Sequence, residues 1–580
     1  MERKDLKKLI DISAGRIPAD VVIKNCKVVD VYNGTIIEGD IAISEGLIAG
    51  VGEYEGNSVI DAEGKYAAPG FIDSHIHIES SYVSPEELGR LIIPHGTTTI
   101  IADPHEIANV CGFKGINYML KAAEGTALDI KMMLPSCVPA TPFEHSGARI
   151  DAKDMIEPMK SGKLHGLGEF MNFPGIVLGD DEVLDKILVA KNEGRVIDGH
   201  SPGLKGNALN AYAAAKIKTD HECATVNDMH DRISRGLYVM LRQGSACHDL
   251  RNLAKGVTPY NSKRCLLCAD DMQPKTILSV GHLDNSLRMC VEEGIDPIIA
   301  IQMASLNAAE CYGLEDRGAI APGLRADIVL FDNLKEFNVD NVLIQGKEVA
   351  QGGQYKLPMA LHDISDTKGS FHVKEFSKEK LRLPINSDKA YAINILPGGV
   401  VTSKKVVTIN RDENNEFVYE GDKDVVKVAV VERHENTGNV AVALLRGYGI
   451  KEGAIALSIA HDSHNIIVVG VNDEDMTFAV EELIKQGGGI VLVKDEKVLE
   501  SMPMPIGGLM SDQSGEWVDK KLKSIHKIAH EILNVSETVE PVMTLCFMSL
   551  AVIPELKLTD MGLFDVTQFK FIPIEADLED

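Results

Sequence analysis

Residues 69–81 read PGFIDSHIHIESS, and the rest of the chain is organised around this segment. Within it, residues 71–74 are predicted to begin a buried strand. Side chains two residues apart on a strand project to the same side, so His75 and His77 point together while Ile76 turns to the opposite, apolar face. Such a pair could arise by chance in a chain with 18 histidines. Its place beside a buried strand favours half of a metal site.

Apolar strands alternate with longer helical segments from residue 71 onward, a pattern typical of a parallel α/β fold. Eight strands are predicted, at 71–74, 97–102, 130–134, 166–168, 195–199, 218–220, 237–241 and 264–269. This pattern suggests a (β/α)8 barrel, in which functional residues collect at the carboxyl ends of the strands. The residues just past the predicted strand ends are polar: His75, His77, Asp103, His105, Ser136, Glu169, His200, His221, Arg242 and Asp270. Imidazoles and carboxylates of this kind can bind zinc, manganese or iron, which activate water.

Short alternating strands with turn signals flank the barrel on both sides. Residues 1–68 are predicted to form the first part of a small β-domain, residues 69–315 the barrel, and residues 316–385 the remainder of the β-domain with a connector. The barrel is therefore expected to be an insertion in the β-domain. Residues 386–580, with further strands and a helix at 473–486, are predicted to form a separate C-terminal α+β domain.

Composition limits the class of protein. The 580 residues carry 59 basic and 86 acidic side chains, and the net charge of −27 opposes a nucleic-acid partner or an anionic membrane surface. Residues 1–16 resemble an amphipathic helix rather than a signal peptide, and no apolar run reaches the length of a membrane span, so a cytoplasmic location is expected. The ten cysteines fit reduced thiols, and Cys265 and Cys268 are interpreted as buried core.

Several motifs together resemble the amidohydrolase superfamily and, specifically, the bacterial and archaeal adenine deaminases. In the barrel they are PGFIDSHIHIESS, TTTIIADPHEIANV, GLGEFMN, DGHSPG, TDHE and LCADD. GAIAPGLRADIVLF follows the barrel, and AHDSHNIIVVG and MPIGGLMSDQSGEW resemble the additional C-terminal domain of that family. The resemblance thus covers nearly the whole chain.

The resemblance implies two divalent metal ions, with manganese favoured over iron or zinc. The implied ligands are His75, His77 and Asp270 for the first metal, Glu169 as the bridge, and His200 and His221 for the second metal. Hydantoinases and dihydroorotases use a carboxylated lysine as the bridge, so Glu169 disfavours hydrolysis of cyclic amides. The implied reaction is attack of a hydroxide held between the metals on C6 of adenine, with Glu169 and Asp270 as catalytic residues. Asp270 would pass the proton to the departing ammonia, leaving hypoxanthine.

Three residues near these ligands have two interpretations each. His105 either orients the substrate or the metal ligands, or is a satisfied loop histidine. Glu79 either orients an imidazole as a hydrogen-bond partner or is a solvated loop charge. Asp271 either hydrogen-bonds the purine ring or caps a helix.

The segment LRQGSACHD at 241–249 follows the seventh predicted strand. Arg242, Ser245 and His248 are placed there to contact the purine, or else they serve the structure of the loop. His461 and His464 resemble another metal pair. They lie in the C-terminal domain with only Asp462 as a nearby carboxylate, which favours a structural role.

Two other functions remain open from the sequence. One is hydrolysis of another purine-like or cyclic amidine substrate, because a fold does not fix a substrate. The other is a non-catalytic assembly protein, which the presence of all six ligand types disfavours. A closed homo-oligomer, a dimer or larger, is expected in either case.

Overall fold

The computed structural model describes residues 2–421 and 423–576. Its central unit contains eight parallel strands: Phe71–Ile76, Thr97–Ala102, Asp129–Met132, Gly166–Phe170, Val196–Gly199, Thr219–Asp220, Tyr238–Arg242 and Cys265–Cys268. Neighbouring strands pair in parallel register, and Ile76 bridges to Asp270, so the last strand closes on the first. The predicted (β/α)8 barrel is confirmed, with strand boundaries shifted by a few residues.

Helices surround the barrel and alternate with its strands. They span Pro85–Ile92, His105–Ala123, Ala152–Lys160, Phe173–Leu178, Asp181–Asn192, Gly206–Ala214, Val226–Ile233, Leu250–Ala254, Pro274–Val280, Leu283–Glu292, Pro297–Met303 and Leu306–Tyr312. The strands are buried on both faces, as expected for parallel strands covered by helices. Cys265 and Cys268 are free thiols in this core, in agreement with the interpretation from the sequence.

A nine-stranded sheet combines segments from both sides of the barrel. Strand Tyr66–Pro69 pairs antiparallel with Ile328–Phe331, so the chain leaves the sheet before the barrel and returns to it afterwards. The other strands are Ala19–Asp30, Thr35–Ser44, Leu47–Gly52, Gly56–Asp61, Val339–Ile344, Lys347–Gln351 and Gln354–Tyr355. The amphipathic N-terminal segment forms helix Arg3–Ser13, which buries Leu9 and Ile12.

The C-terminal region is built on an eight-stranded sheet. Its strands are Lys389–Ile395, Thr402–Thr408, Val425–Val431, Val440–Arg446, Ala454–Leu457, Ile466–Gly470, Gly489–Lys494 and Lys497–Pro503. Helix Asp473–Gln486 has the predicted boundaries, and helices Gly515–Glu531 and Pro541–Cys546 follow later in the chain. Strands Leu556–Thr559, Gly562–Asp565 and Lys570–Phe571 form a small separate sheet.

The C-terminal region lies against the barrel loops that follow the strands. The Ser511 N–H donates to the carbonyl oxygen of Tyr82 over 2.8 Å, and the Gly515 N–H donates to Oε1 of Glu87 over 2.6 Å. The side-chain amide of Asn465 donates to the carbonyl oxygen of His145. Polar contacts therefore hold the region over this face of the barrel. Among the described helices, none has both the length and the apolar composition needed to cross a lipid bilayer.

Candidate active site

The first barrel strand ends beside two imidazoles that face the same carboxylate. Nε2 of His75 lies 3.1 Å from Nε2 of His77. Oδ1 of Asp270 is 3.4 Å from the first nitrogen and 3.2 Å from the second. Asp270 follows the last strand with φ of +60°, a conformation uncommon for residues other than glycine that is found at functional sites. Closure of the barrel thus brings residues far apart in sequence into one cluster.

Glu169 lies near the end of the fourth barrel strand and occupies the centre of the site. Its Oε1 lies 3.3 Å from Nε2 of His77. Its Oε2 lies 2.8 Å from Nδ1 of His200 and 3.3 Å from Nε2 of His221. The two oxygens of one carboxylate therefore face different pairs of barrel strands. His75 also stacks on His221 with ring centroids 4.2 Å apart, so all six residues form one continuous group.

Charges in this group stabilise one another. Burial would raise the pKa of the Glu169 carboxyl, but the neighbouring imidazoles, His200 foremost, outweigh burial and hold that pKa well below its usual range. Asp270 shows the same balance, with His75, His77 and Arg242 holding its pKa low. In turn the carboxylates raise the pKa of His77 and of His221 despite their burial. Both acids are therefore ionised.

This donor set fits divalent metal ions. The donor atoms of His75, His77 and Asp270 lie within 4.8 Å of one another, as do those of His75, Glu169 and His221. Ionised carboxylates and imidazoles that converge in a buried site are the ligands that zinc, iron and manganese take in proteins. The group can therefore bind divalent metal at adjacent positions.

His105 and Asp271 also belong to this site. Nδ1 of His105 lies 3.3 Å from Oε1 of Glu169, and its ring meets that of His77 edge-on. Asp271 lines the cavity beside the cluster, and its Oδ1 is 2.5 Å from Oγ of Ser80. Glu79 is buried, so it is not a solvated loop charge. Its Oε1 accepts from the Ile107 N–H over 3.0 Å, which fixes the start of helix His105–Ala123.

The three candidate purine contacts after the seventh strand lie in different environments. Arg242 is buried and lines the cavity, where its guanidinium contacts acidic side chains. Ser245 turns away, because its Oγ lies 2.7 Å from Oγ1 of Thr276 and accepts from the Gln273 N–H. His248 is exposed, and its Nδ1 is 3.0 Å from Nε2 of Gln243. Of these three residues, the structure therefore brings Arg242 alone to the cluster of imidazoles and carboxylates.

Glu222 is a site residue that the sequence analysis did not select. Its Oε1 lies 2.6 Å from Nη1 of Arg242, 3.4 Å from Nε2 of His221 and 3.6 Å from Nδ1 of His200. Its position directly after His221 in the motif TDHE was the available signal.

A cavity of about 690 Å³ opens beside the cluster. Barrel residues His77, Glu169 and Asp270 form one wall. The C-terminal region forms the opposite wall with side chains that include His461, Asp462, Val401, Phe547 and Phe569. The cavity has the size and mixed polar and apolar lining of a small-molecule site. The C-terminal region therefore helps to enclose the substrate space.

Two family models match the chain. Residues 66–349 match the amidohydrolase family, and residues 399–570 match the adenine deaminase C-terminal domain. Among solved structures, that of enamidase, described as a member of the amidohydrolase superfamily, aligns with a TM-score of 0.44 and 20% identity over 57% of this chain and 96% of that chain.

Two relatives that align over their full length are named adenine deaminase. Adenine deaminase 2 of Desulfotalea psychrophila is 70% identical over 99% of this chain and 100% of that protein. Adenine deaminase of Ligilactobacillus salivarius is 54% identical over the whole of both chains. Since these matches include both the barrel and the C-terminal region, the chain belongs to the adenine deaminase family of the amidohydrolase superfamily.

Proposed function

We propose that the chain hydrolyses adenine to hypoxanthine and ammonia with the help of two divalent metal ions. The observation that carries this proposal is the central position of Glu169, whose two oxygens face His77 on one side and His200 and His221 on the other. One carboxylate can therefore serve as the bridge between two metals. The names of the full-length relatives support adenine as the substrate.

Six residues would hold the metals in this proposal. The first ion would be bound by His75, His77 and Asp270, the second by His200 and His221, with Glu169 shared between them. Bound there, divalent ions would lower the pKa of water and stabilise negative charge on the reacting oxygen. Manganese is the proposed native metal, with iron and zinc as the alternatives that the same ligands accept.

Asp270 is the proposed proton carrier. Its Oδ2 accepts from Nη1 of Arg242 over 2.9 Å, which leaves Oδ1 on the side of the histidines and the cavity. Oδ1 takes a proton from the attacking water as the bond from oxygen to C6 forms and the π pair of the C6–N1 double bond moves to N1. The same oxygen then gives that proton to the exocyclic nitrogen, the C6–N1 double bond re-forms as the bond from C6 to that nitrogen breaks, and ammonia leaves. The remaining hydroxyl proton passes to N1, which gives hypoxanthine. His105 and Asp271 supply polar groups at the edge of the cavity for the purine ring.

Ammonia release tests the proposal directly. Purified protein is treated with a chelator, divided, and reloaded with manganese, iron or zinc before adenine, guanine, adenosine or dihydroorotate is added. Release from adenine that depends on the added metal is expected. Release only from another substrate would overturn adenine as the substrate. Silence on all four with metal bound would overturn the proposed activity, and a protein that binds no metal would favour the assembly function.

A further inference from the structure

Three potential metal ligands meet between the barrel and the C-terminal region, separately from the six residues above. Glu106 is the second residue of helix His105–Ala123, and His461 and His464 lie between strands Ala454–Leu457 and Ile466–Gly470. Nδ1 of His461 is 3.0 Å from Oε1 of Glu106, and Nε2 of His464 is 3.8 Å from Oε2. The carboxylate that the sequence lacked near the two histidines is therefore supplied by the barrel.

His464 has no hydrogen-bond partner for its ring. Only 1% of its side chain is exposed, and among the described residues neither Nδ1 nor Nε2 has a partner. A neutral imidazole carries one donor and one acceptor, and leaving such groups buried and unpaired destabilises a folded protein. Its backbone also adopts a φ of +57°, which is uncommon for a residue other than glycine. His464 is therefore a buried imidazole whose nitrogens are available as ligand atoms.

The separations between the donor atoms suit a bound cation. Nitrogen and oxygen ligands lie about 2.0–2.2 Å from a zinc ion, which places neighbouring donors roughly 3–4 Å apart. The separations of 3.0 and 3.8 Å around Glu106 fall in this range. They resemble the 3.2 and 3.3 Å by which His77 is separated from Asp270 and Glu169 in the barrel site.

Surrounding groups hold these ligands in place. Oγ of Ser80 lies 3.3 Å from Oε1 of Glu106 and 2.5 Å from Oδ1 of Asp271. The ring of His461 stacks on Phe547 with centroids 4.7 Å apart, and the backbone N–H of His461 donates to the carbonyl oxygen of Cys546. Partners of this kind orient metal ligands before an ion binds.

We propose that Glu106, His461 and His464 form a further divalent-cation site that joins the C-terminal region to the barrel. Two imidazoles and one carboxylate suit zinc, manganese or iron. Glu106 and His461 line the substrate cavity, so the remaining coordination positions are open towards it. An ion there offsets the negative charge of Glu106 and Asp271 and gives Nε2 of His464 a partner. This inference concerns residues outside the proposed deamination chemistry and does not depend on it.

Anomalous diffraction tests the proposal on the unaltered chain. Crystals of the full-length protein are soaked in zinc or manganese, and data are collected at the absorption edge of the metal. A peak within about 2.3 Å of a donor atom of each of the three residues is expected. Peaks confined to the barrel site, at metal concentrations that fill it, would overturn the proposal.

Metal content gives a second measurement in solution. His464→Gln keeps the size of the side chain and should lower the content by one ion per chain after gel filtration. His230→Gln is the control, because His230 is an exposed histidine whose Nε2 lies 3.2 Å from the carbonyl oxygen of Gly256. Equal content in wild type and His464→Gln would contradict the site. An occupied site in a protein that is inactive on adenine would overturn only the proposed function.

Discussion

Nη1 of Arg242 lies 2.9 Å from Oδ2 of Asp270, on the opposite side of the carboxylate from His75 and His77. The same guanidinium contacts Oε1 of Glu222 over 2.6 Å. Asp270 thus has one oxygen fixed by Arg242 and the other directed at imidazoles, whereas Oε1 of Glu222 faces both Arg242 and the imidazoles of His221 and His200. Arg242 therefore acts first as a positioning residue for the acids of the site, and only secondarily as a wall of the cavity.

Arg242→Met should lower kcat for adenine by about 100-fold, because misplacing a reacting group by about 1 Å can cost that much. KM should change by only a few-fold, since the guanidinium acts through Asp270 rather than on the purine. Steady-state kinetics on metal-loaded protein measures both constants. Arg251→Met is the control, because Arg251 is half-exposed and pairs only with Glu292 and Glu293.

The opposite effect on the two kinetic constants would change the role assigned to Arg242. A large rise in KM at unchanged kcat would identify Arg242 as a purine contact. Arg242→Lys should recover only part of the lost kcat, because an ammonium cannot donate to Asp270 and Glu222 with the fixed spacing of the guanidinium.

Glu169→Gln should remove about two metal ions per chain. The amide nitrogen that replaces one oxygen cannot bind a metal, and Glu169 is the one residue that faces both ligand pairs. Metal content after dialysis, measured by atomic emission, checks this. The control is Glu157→Gln, because 86% of the Glu157 side chain is exposed. Loss of a single ion would mean that Glu169 does not bridge.

Asp270→Asn should abolish detectable turnover and leave metal partly bound. The asparagine oxygen can still face His75 and His77, but a neutral amide cannot accept the proton from the attacking water. Metal content and ammonia release are measured on the same preparation. Activity equal to that of wild type would remove Asp270 from the mechanism.

The meeting of the six residues in the barrel could be predicted from the sequence, because a closed barrel brings the ends of all its strands to one face. His75, Glu169 and Asp270 are far apart in the chain, yet each lies within two residues of the end of a strand, and strand ends meet at one face. Hydrophobic periodicity and strand order can be recognised in a sequence, so the convergence of residues at the strand ends could be expected from it.

Residues outside that rule could not be placed. Ser245 and His248 lie in an irregular turn, where the direction of a side chain follows from local hydrogen bonds such as the one from the Gln273 N–H to Ser245. The meeting of Glu106 with His461 depends on how two regions distant in sequence pack together, for which the chain carries no periodic signal.

Stability should depend on pH through Glu144, a buried carboxyl group in the loop after the third barrel strand. Burial, assisted by the negative charge of Asp462, raises the pKa of Glu144 from 4.5 to about 8. The folded protein therefore keeps this proton up to about pH 8, while the unfolded chain releases it near pH 4.5. This group's contribution to the free energy of unfolding is full below pH 4.5 and falls as the pH rises towards 8.

Glu144→Gln should remove that dependence, because the amide keeps the neutral shape and can still accept from Oγ1 of Thr141, as Glu144 does over 3.2 Å. The variant should gain stability relative to wild type as the pH rises, by roughly 4 kcal/mol at pH 8. Denaturant unfolding of both proteins at pH 5, 6, 7 and 8 measures the difference, and exposed Glu124→Gln provides the baseline. A difference between Glu144→Gln and wild type that stays constant over this range would show that Glu144 is ionised in the folded protein, since only a group that takes up its proton on folding makes the two curves diverge.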